Sequence, residues 1–298
     1  MSGTKPSIKT WVLGARPKTL TAAVVPVLVA TALAATLTSG EMRWGLSLFA
    51  LLSSIFIQIG TNLFNDALDF IKGADTSERL GPLRVTQSGL LTPRAVWLGG
   101  LVCFGIASLL ALPLLYAGGW PIFVIGICSL VAGYFYTGGP FPLAYAGLGD
   151  LFVLVFFGWI AVGGLFYLLA GEGHTAAFVA GTQVGLTATA LIAINNLRDY
   201  VSDRKAGKRT LAVRFGPRFA KFEIVALLTL PILGGGYWWF ADHPWAGVLP
   251  LWVLPLALRL VRQVRRSEPG RQYNSYLAQA SLIHLLFGVL LSAGLLMA

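Results

Sequence analysis

Residues 95–149 read AVWLGGLVCFGIASLLALPLLYAGGWPIFVIGICSLVAGYFYTGGPFPLAYAGLG, a run of 55 positions without a charged side chain. A transmembrane α-helix needs about 20 apolar residues, so this run predicts two helices with a turn at Gly118 and Gly119. Residues 175–197 and 272–298 are each long enough for one more helix. These runs show no strand-like alternation, and lipid-exposed backbone must bond within helices or closed barrels. The sequence therefore predicts an all-α polytopic membrane protein.

The composition of the whole chain agrees with this class. Of 298 residues, 56% are hydrophobic and 11% are charged, against about a quarter charged in soluble domains. The basic start is predicted to remain as part of the first helix, because no small-residue cleavage site follows it. We predict a single domain over residues 1–298 with about nine helices, at residues 19–38, 43–65, 95–116, 120–137, 148–169, 176–198, 220–240, 244–261 and 274–297.

The distribution of basic residues predicts the orientation. Nine helices place the N-terminus and the loops after helices two, four, six and eight on one side, and these segments carry 21 of the 22 Lys and Arg residues. Cytoplasmic loops are enriched in Lys and Arg, so the N-terminus and these loops are predicted to be cytoplasmic. The net charge of +10 is then explained by topology and by contact with membrane lipid. No nucleic acid partner is expected, because short juxtamembrane loops form no binding fold.

Two of the basic loops also contain acids at helical spacing. The first reads Asn-x-x-x-Asp-x-x-Asp over residues 62–69, and the second reads Asn-x-x-x-Asp-x-x-x-Asp over residues 195–203. Residues three or four apart share one face of a helix. A carboxylate within a transmembrane segment costs about 2.5 to 3.5 kcal/mol, so these acids are expected to face a polar cavity or a cation.

The two clusters are 133 residues and four predicted helices apart, so they have the same orientation in the membrane. We predict two parallel four-helix halves, roughly residues 19–137 and 148–261, plus a ninth helix and a central cavity opening at the cytoplasmic side. Mg²⁺ is the predicted ion, because it prefers carboxylate oxygens together with substrate phosphates. The alternative for each acid is a helix cap, and for the whole chain a transporter, which would place its acids near the membrane midplane.

The sequences of residues 65–69 (NDALD) and 199–203 (DYVSD) resemble the two signatures of the UbiA superfamily of intramembrane prenyltransferases. Five further stretches resemble its MenA-type branch, at residues 16–20 (RPKTL), 81–84 (GPLR), 136–150, 195–199 (NNLRD) and 207–211 (GKRTL). One position departs from the superfamily, because a third Asp common there is Gly73 here. The next acid, Asp75, comes two residues later, and no metal role is predicted for it.

The resemblance implies an enzyme of menaquinone biosynthesis in the inner membrane of a bacterium. It implies Mg²⁺-dependent transfer of a polyprenyl group from polyprenyl diphosphate to 1,4-dihydroxy-2-naphthoate, with loss of CO₂, to give demethylmenaquinone. The alternative is a sister prenyltransferase acting on 4-hydroxybenzoate, homogentisate or a porphyrin.

The candidate site residues have four predicted roles. Asp150 would orient or deprotonate the acceptor, or alternatively only interact with its helix dipole. Tyr136 would line the carbocation site by cation–π contact, together with Tyr134, Phe156, Phe157 and Trp159. The predicted metal ligands are Asn62, Asp66, Asp69, Asn195, Asp199 and Asp203. The predicted diphosphate ligands are Lys72, Arg84, Arg198 and Lys208, each of which has topology as its alternative role.

Overall fold

The computed structural model describes residues 7–75 and 79–297, and all regular secondary structure in these two segments is helical. Eight of the helices there are long and apolar enough to cross a membrane, or nine if one bent pair counts as a span. The predicted all-α membrane fold is therefore confirmed. The helices are α1 Ile8–Ala15, α2 Thr21–Leu37, α3 Trp44–Ile71, α4 Pro93–Leu110, α5 Leu112–Phe135, α6 Leu143–Ala146, α7 Gly149–Ala170, α8 Thr175–Arg198, α9 Tyr200–Lys205, α10 Leu211–Phe240, α11 Pro244–Arg266 and α12 Tyr273–Leu296.

The first span is bent, which the sequence did not predict. Helix α1 and the 3₁₀ turn after it meet α2 at an angle of 53°. Proline disfavours the α-helical region for the residue before it, and Arg16, which precedes Pro17, adopts φ 53°. The predicted helix at residues 19–38 thus begins at Thr21, and α1 lies before it as a separate helix.

The turn predicted at Gly118 and Gly119 lies inside α5. Gly119 adopts φ 61° and ψ −146°, which breaks the helix there. By contrast, α4 continues almost directly into α5, because Ala111 keeps helical angles and accepts a hydrogen bond from the backbone N–H of Leu115 at 2.9 Å. The helical segments before and after Gly119 therefore meet at this break.

Helix α8 lies in the centre of the bundle, in contact with α2, α7, α10 and α12, while α3 packs on α4 and α5. Helices α7 and α8 approach closely at glycines. A Cβ atom on Gly158 would lie 2.4 Å from the carbonyl oxygen of Gly181. This contact brings the start of α7 beside the end of α8, where the second acid cluster lies. The division into two pseudo-repeats stays a prediction.

Candidate active site

A cavity of about 390 Å³ runs along α3 between the helices. Its lining residues on α3 recur every three or four positions from Ala50 to Asp69, which is about 28 Å at 1.5 Å per residue. The polar end contains Asn62, Asn65, Asp69, Asp75, Arg84, Asn195, Asp199, Asp203 and Lys208. The remainder contains mainly aliphatic side chains, including Val27, Ala50, Leu114, Ile125, Leu165 and Leu168. The cavity therefore suits a molecule with a charged head and a long apolar tail.

The two acid clusters meet at the polar end of this cavity. Lys208 Nζ lies 3.7 Å from Asp69 Oδ2 and 3.5 Å from Asp203 Oδ1. Asp69 lies in the last turn of α3, and Asp203 lies in α9, directly after α8. The structure thus brings together the two clusters that the sequence argument assigned to one site.

Asp66 and Asp69 have different partners although both lie near the end of α3. Asp66 is 1% exposed and does not line the cavity. Its Oδ2 and Oδ1 atoms accept hydrogen bonds from the backbone N–H groups of Val85 at 3.2 Å and Thr86 at 3.0 Å. Asp69 lines the cavity and accepts a hydrogen bond from the Tyr145 hydroxyl at 3.0 Å. Asp66 therefore anchors the loop that follows Arg84, whereas Asp69 faces the cavity.

The two asparagines of α3 also differ. Asn62 Nδ2 donates to the carbonyl of Ala15 at 2.9 Å and to Thr19 Oγ1 at 3.0 Å, which fixes the bend between α1 and α2. Asn65, one turn before Asp69, lines the cavity, and its Oδ1 accepts a hydrogen bond from the Thr137 hydroxyl. Asn65 was not among the predicted ligands, although its spacing of four residues from Asp69 was a usable signal.

In the second cluster, Arg198 is buried and does not line the cavity. Its Nε and NH2 atoms donate to the two oxygens of Asp199 at 2.9 and 2.6 Å. NH2 also donates to Asn195 Oδ1 at 2.6 Å, and NH1 donates to Asn274 Oδ1 at 2.9 Å. Arg198 therefore orients Asp199 and Asn195 from behind. The carboxylates of Asp199 and Asp203 remain at the cavity wall.

Burial raises the pKa of Asp203 to about 6, although the nearby Lys208 ammonium opposes this shift. A buried carboxylate with this pKa is not fully compensated by its protein partners. The end of the cavity where Asp203 and Asp69 share Lys208 therefore favours additional positive charge.

The first loop contributes a second ion-pair group to the cavity. Asp75 Oδ1 lies 2.9 Å from Arg79 NH1, and Asp75 Oδ2 lies 3.3 Å from Arg84 Nε. Arg84 NH2 also lies 3.3 Å from Asp69 Oδ2. Burial, together with the adjacent Arg84 cation, lowers the pKa of Arg79 to about 10. Asp75, Arg79 and Arg84 all line the cavity, so the loop brings two guanidinium groups and one carboxylate to its polar end.

The loop between α5 and α7 covers the ends of both clusters. Lys72 does not line the cavity, and its Nζ donates to the carbonyl of Thr137 at 2.6 Å. Lys72 Nζ lies 5.1 Å from the centroid of the Tyr145 ring, and Lys208 Nζ lies 4.9 Å from it. Burial and the neighbouring Asp69 raise the pKa of Tyr145, so its hydroxyl keeps its proton. Nothing in the sequence pattern had singled out Tyr145.

Asp150 lies in the first turn of α7 and is buried, but it does not line the cavity. Its Oδ2 atom accepts a hydrogen bond from Asn196 Nδ2 at 3.4 Å, and Asn196 does line the cavity. Asp150 Oδ1 has no hydrogen-bond partner within the protein. The side chain of Asn196 therefore lies between Asp150 and the cavity.

The five aromatic residues predicted to surround the carbocation do not all line the cavity. Tyr136, Phe156 and Phe157 line the cavity, and burial raises the pKa of Tyr136. Tyr134 instead packs edge-on against Phe64 at 5.2 Å between ring centroids. Trp159 donates from Nε1 to Thr182 Oγ1 at 2.9 Å. Three of the five aromatic residues thus surround the cavity, and these two face neighbouring helices.

The donors at the polar end suit Mg²⁺. They are carboxylate oxygens of Asp69, Asp199 and Asp203 and amide oxygens of Asn65 and Asn195, which are the hard ligands that Mg²⁺ prefers. Lys208 already places one positive charge between two of these carboxylates. Within residues 7–75 and 79–297, no three Asp, Glu, His or Cys side chains are grouped closely enough to hold an ion by themselves.

Comparison with known proteins gives one family over most of the chain. A sequence model of the UbiA prenyltransferase family matches residues 23–294. Three relatives are named 1,4-dihydroxy-2-naphthoate octaprenyltransferase. The relative from Haemophilus influenzae is 36% identical over 97% of this chain and 96% of its own. The relative from Mycobacterium tuberculosis is 36% identical over 97% of each chain, and the one from Escherichia coli is 38% identical over 86% and 85%.

Two solved structures share the fold at low sequence identity. A UbiA homolog from Archaeoglobus fulgidus bound to GPP and Mg²⁺ has a TM-score of 0.65 and 17% identity, over 97% of this chain and 100% of that one. The apo structure of a UbiA homolog from Aeropyrum pernix K1 has a TM-score of 0.68 and 14% identity, over 93% and 97%. At these identities the likeness concerns the fold alone.

Proposed function

The chain belongs to the UbiA prenyltransferase family, and we propose that it transfers a polyprenyl group from polyprenyl diphosphate to 1,4-dihydroxy-2-naphthoate, releasing diphosphate and CO₂. The observation that carries this proposal is the convergence of two acid clusters and four cations at one end of a long apolar cavity. The acceptor rests on the relatives named for it, which are 36 to 38% identical to this chain. The product would be demethylmenaquinone.

The polar end of the cavity would hold the diphosphate. Asp69, Asp199, Asp203 and the amides of Asn65 and Asn195 would hold Mg²⁺ together with oxygens of the diphosphate, and the ion would supply positive charge for the leaving group. The Archaeoglobus homolog described as bound to GPP and Mg²⁺ supports this choice of ion. Asn62 and Asp66, also predicted as ligands, would act by holding the backbone around the site.

The cations of the cavity would bind the same diphosphate. Of the four predicted candidates, Arg84 and Lys208 line the cavity, so we assign them direct contact. Lys72 and Arg198 lie behind the cavity wall, where Lys72 contacts the Tyr145 ring and Arg198 would position Asp199. Arg16 and Arg79 line the cavity as well and join the group of candidate ligands. Fixed cations aimed at a leaving group stabilise its growing charge without reorganisation.

The apolar part of the cavity would hold the prenyl chain and exclude water from the allylic carbocation. Tyr136, Phe156 and Phe157 present aromatic faces there, which stabilise a cation without attacking it. A dry cavity prevents hydrolysis of a reactive intermediate. The side chains near the reacting carbon would thus select the aromatic acceptor as the nucleophile.

Attack by the ring carbon that carries the carboxylate requires the adjacent hydroxyl to release its proton. Breakage of the ring–carboxylate bond then leaves its electron pair on the product ring, and the product regains a proton as CO₂ departs. A nearby base therefore needs only to hold one proton for part of the cycle. Asp150 Oδ1, which has no partner within the protein, would take up this proton through one water molecule, while Asn196, hydrogen-bonded to Asp150 Oδ2 at 3.4 Å, would orient the acceptor.

We place the polar end of the cavity at the cytoplasmic side of a bacterial inner membrane. The basic loops that carry Arg84 and Lys208 belong to the segments with 21 of the 22 Lys and Arg residues. Water-soluble substrates and Mg²⁺ would reach the site from that side.

The test is turnover by the purified protein in lipid nanodiscs with radiolabelled octaprenyl diphosphate, Mg²⁺ and 1,4-dihydroxy-2-naphthoate. The expected result is a prenylated naphthol and one CO₂ per turnover, both abolished by EDTA and restored by Mg²⁺. Prenylation of 4-hydroxybenzoate with no reaction of the naphthoate would refute the acceptor. Absence of prenyl transfer to either compound would refute the activity.

A further inference from the structure

Tyr145 contacts three of the charged side chains at the polar end of the cavity. Its hydroxyl donates to Asp69 Oδ1 at 3.0 Å. The ammonium groups of Lys72 and Lys208 lie 5.1 and 4.9 Å from its ring centroid. Tyr145 does not line the cavity, so it touches these groups from the protein side. Tyr145 thus contacts both Asp69 of the first acid cluster and Lys208, which follows the second cluster in the sequence.

The loop that carries Tyr145 is attached to the second cluster by its backbone. Arg209 N donates to the carbonyl of Tyr145 at 2.9 Å, and Arg214 NH2 donates to the carbonyl of Ala146 at 2.7 Å. Gly147 adopts φ 75°, and a Cβ atom there would lie 2.1 Å from the carbonyl of Arg209. These contacts fix the position of the Tyr145 ring relative to Lys208.

An aromatic ring holds a cation in a way that a carboxylate does not. A carboxylate neutralises an ammonium group and occupies its hydrogen-bond donors, whereas the ring attracts the charge through its quadrupole and leaves the donors free. Lys72 and Lys208 repel each other. The Tyr145 ring attracts both ammonium groups and so offsets part of this repulsion. The ring contact thus adds to the ion pairs of Lys208 with Asp69 and Asp203 without occupying a further N–H donor, so the ammonium group of Lys208 stays at the cavity wall for an anion that enters the site.

We propose that Tyr145 is a positioning residue for diphosphate binding, whose ring keeps Lys72 and Lys208 in place while its hydroxyl fixes Asp69 for the metal. The inference rests on the proposed function for the identity of the anion. The two parts of the side chain have separable tasks. Loss of the hydroxyl affects Asp69, and loss of the ring affects the two lysines.

The test compares Tyr145→Phe, which keeps the ring, with Tyr145→Leu, which removes both ring and hydroxyl. Tyr145→Phe should raise the Mg²⁺ concentration for half-maximal rate severalfold and leave KM for prenyl diphosphate within about twofold of wild type. Tyr145→Leu should additionally raise KM for prenyl diphosphate about tenfold, as expected for two cation–π contacts. KM for the acceptor should stay unchanged in both. Tyr116→Leu is the matched control, because Tyr116 is 95% exposed and far from the clusters in sequence.

Equal KM values for prenyl diphosphate in the Phe and Leu variants would overturn the role of the ring. A joint rise of all KM values in Tyr145→Leu would indicate a merely structural role and would also overturn it. Should Tyr145→Leu fail to fold, Tyr145→Trp supplies the second comparison, since its larger ring must preserve KM for prenyl diphosphate. Binding of inorganic diphosphate, measured by calorimetry without acceptor, separates this inference from the proposed function. A wild-type protein that binds diphosphate but prenylates neither acceptor would refute the function alone.

Discussion

Asp69 and Asp203 share one cation, since Lys208 Nζ lies 3.7 Å from Asp69 Oδ2 and 3.5 Å from Asp203 Oδ1. Two carboxylates at the ends of different helices are thus held together by a side chain from a third segment. Removing this cation leaves two buried acids that repel each other.

Lys208→Met should therefore raise KM for prenyl diphosphate by tenfold or more and lower the melting temperature. Removing one partner of a buried ion pair costs about 3 to 5 kcal/mol of stability. Lys208→Arg keeps the charge and should keep most of the stability. An unchanged KM in Lys208→Met would remove Lys208 from the diphosphate site. The measurements are steady-state kinetics and thermal unfolding in the same nanodiscs.

Alanine at Asp69 and at Asp66 should have different effects. Asp69→Ala should lower kcat by about a thousandfold in the folded protein, because Asp69 faces the cavity and would hold the metal; it also removes an ion-pair partner of Arg84 and Lys208, so some stability is lost with it. Asp66→Ala leaves the N–H groups of Val85 and Thr86 without partners, so it should cost about 2 to 6 kcal/mol of stability. Thermal unfolding of both variants, read with turnover, distinguishes them. A stable, inactive Asp66→Ala variant would instead support Asp66 as a direct ligand.

Asp150→Asn tests whether Asp150 acts on the acceptor or only on its helix. If Asp150 takes up the hydroxyl proton of the acceptor, kcat should fall about 10² to 10⁴-fold, with KM for prenyl diphosphate unchanged. If Asp150 serves only the helix dipole, kcat should stay near wild type and the variant should lose about 0.3 to 1 kcal/mol of stability. Single-turnover kinetics measures the chemical step directly.

The close contact between α7 and α8 gives a test on stability. Gly158→Ala places a Cβ atom 2.4 Å from the carbonyl of Gly181 and should cost about 1 to 3 kcal/mol. Gly163→Ala is the matched control on the same helix, because a Cβ atom there meets nothing within 4 Å. Its melting temperature should equal or slightly exceed that of wild type. Equal melting temperatures of the two variants would contradict the close packing of these helices.

Much of the fold follows from local patterns. Long apolar runs predicted the helices, and Gly118 with Gly119 predicted the break that Gly119 makes with φ 61°. The bend before α2 was missed, because hydropathy does not register the conformation of Arg16 before Pro17, nor the hydrogen bonds that Asn62 donates to Ala15 and Thr19 from another helix. Hydropathy alone does not report such a contact.

The sequence by itself determined the class of protein, the two acid clusters and the family, because apolar length, charge distribution and motif spacing are local properties. Only the tertiary structure decided which side chains of each cluster face the cavity. Helical spacing relates residues to one another, but packing chooses the face that points inward. Asp66 turns to backbone N–H groups 19 and 20 residues away, while Asp69 meets Tyr145, 76 residues away. The hydrogen-bond partners of each acid come from distant segments of the chain. The role of each acid is therefore set only once the chain has folded.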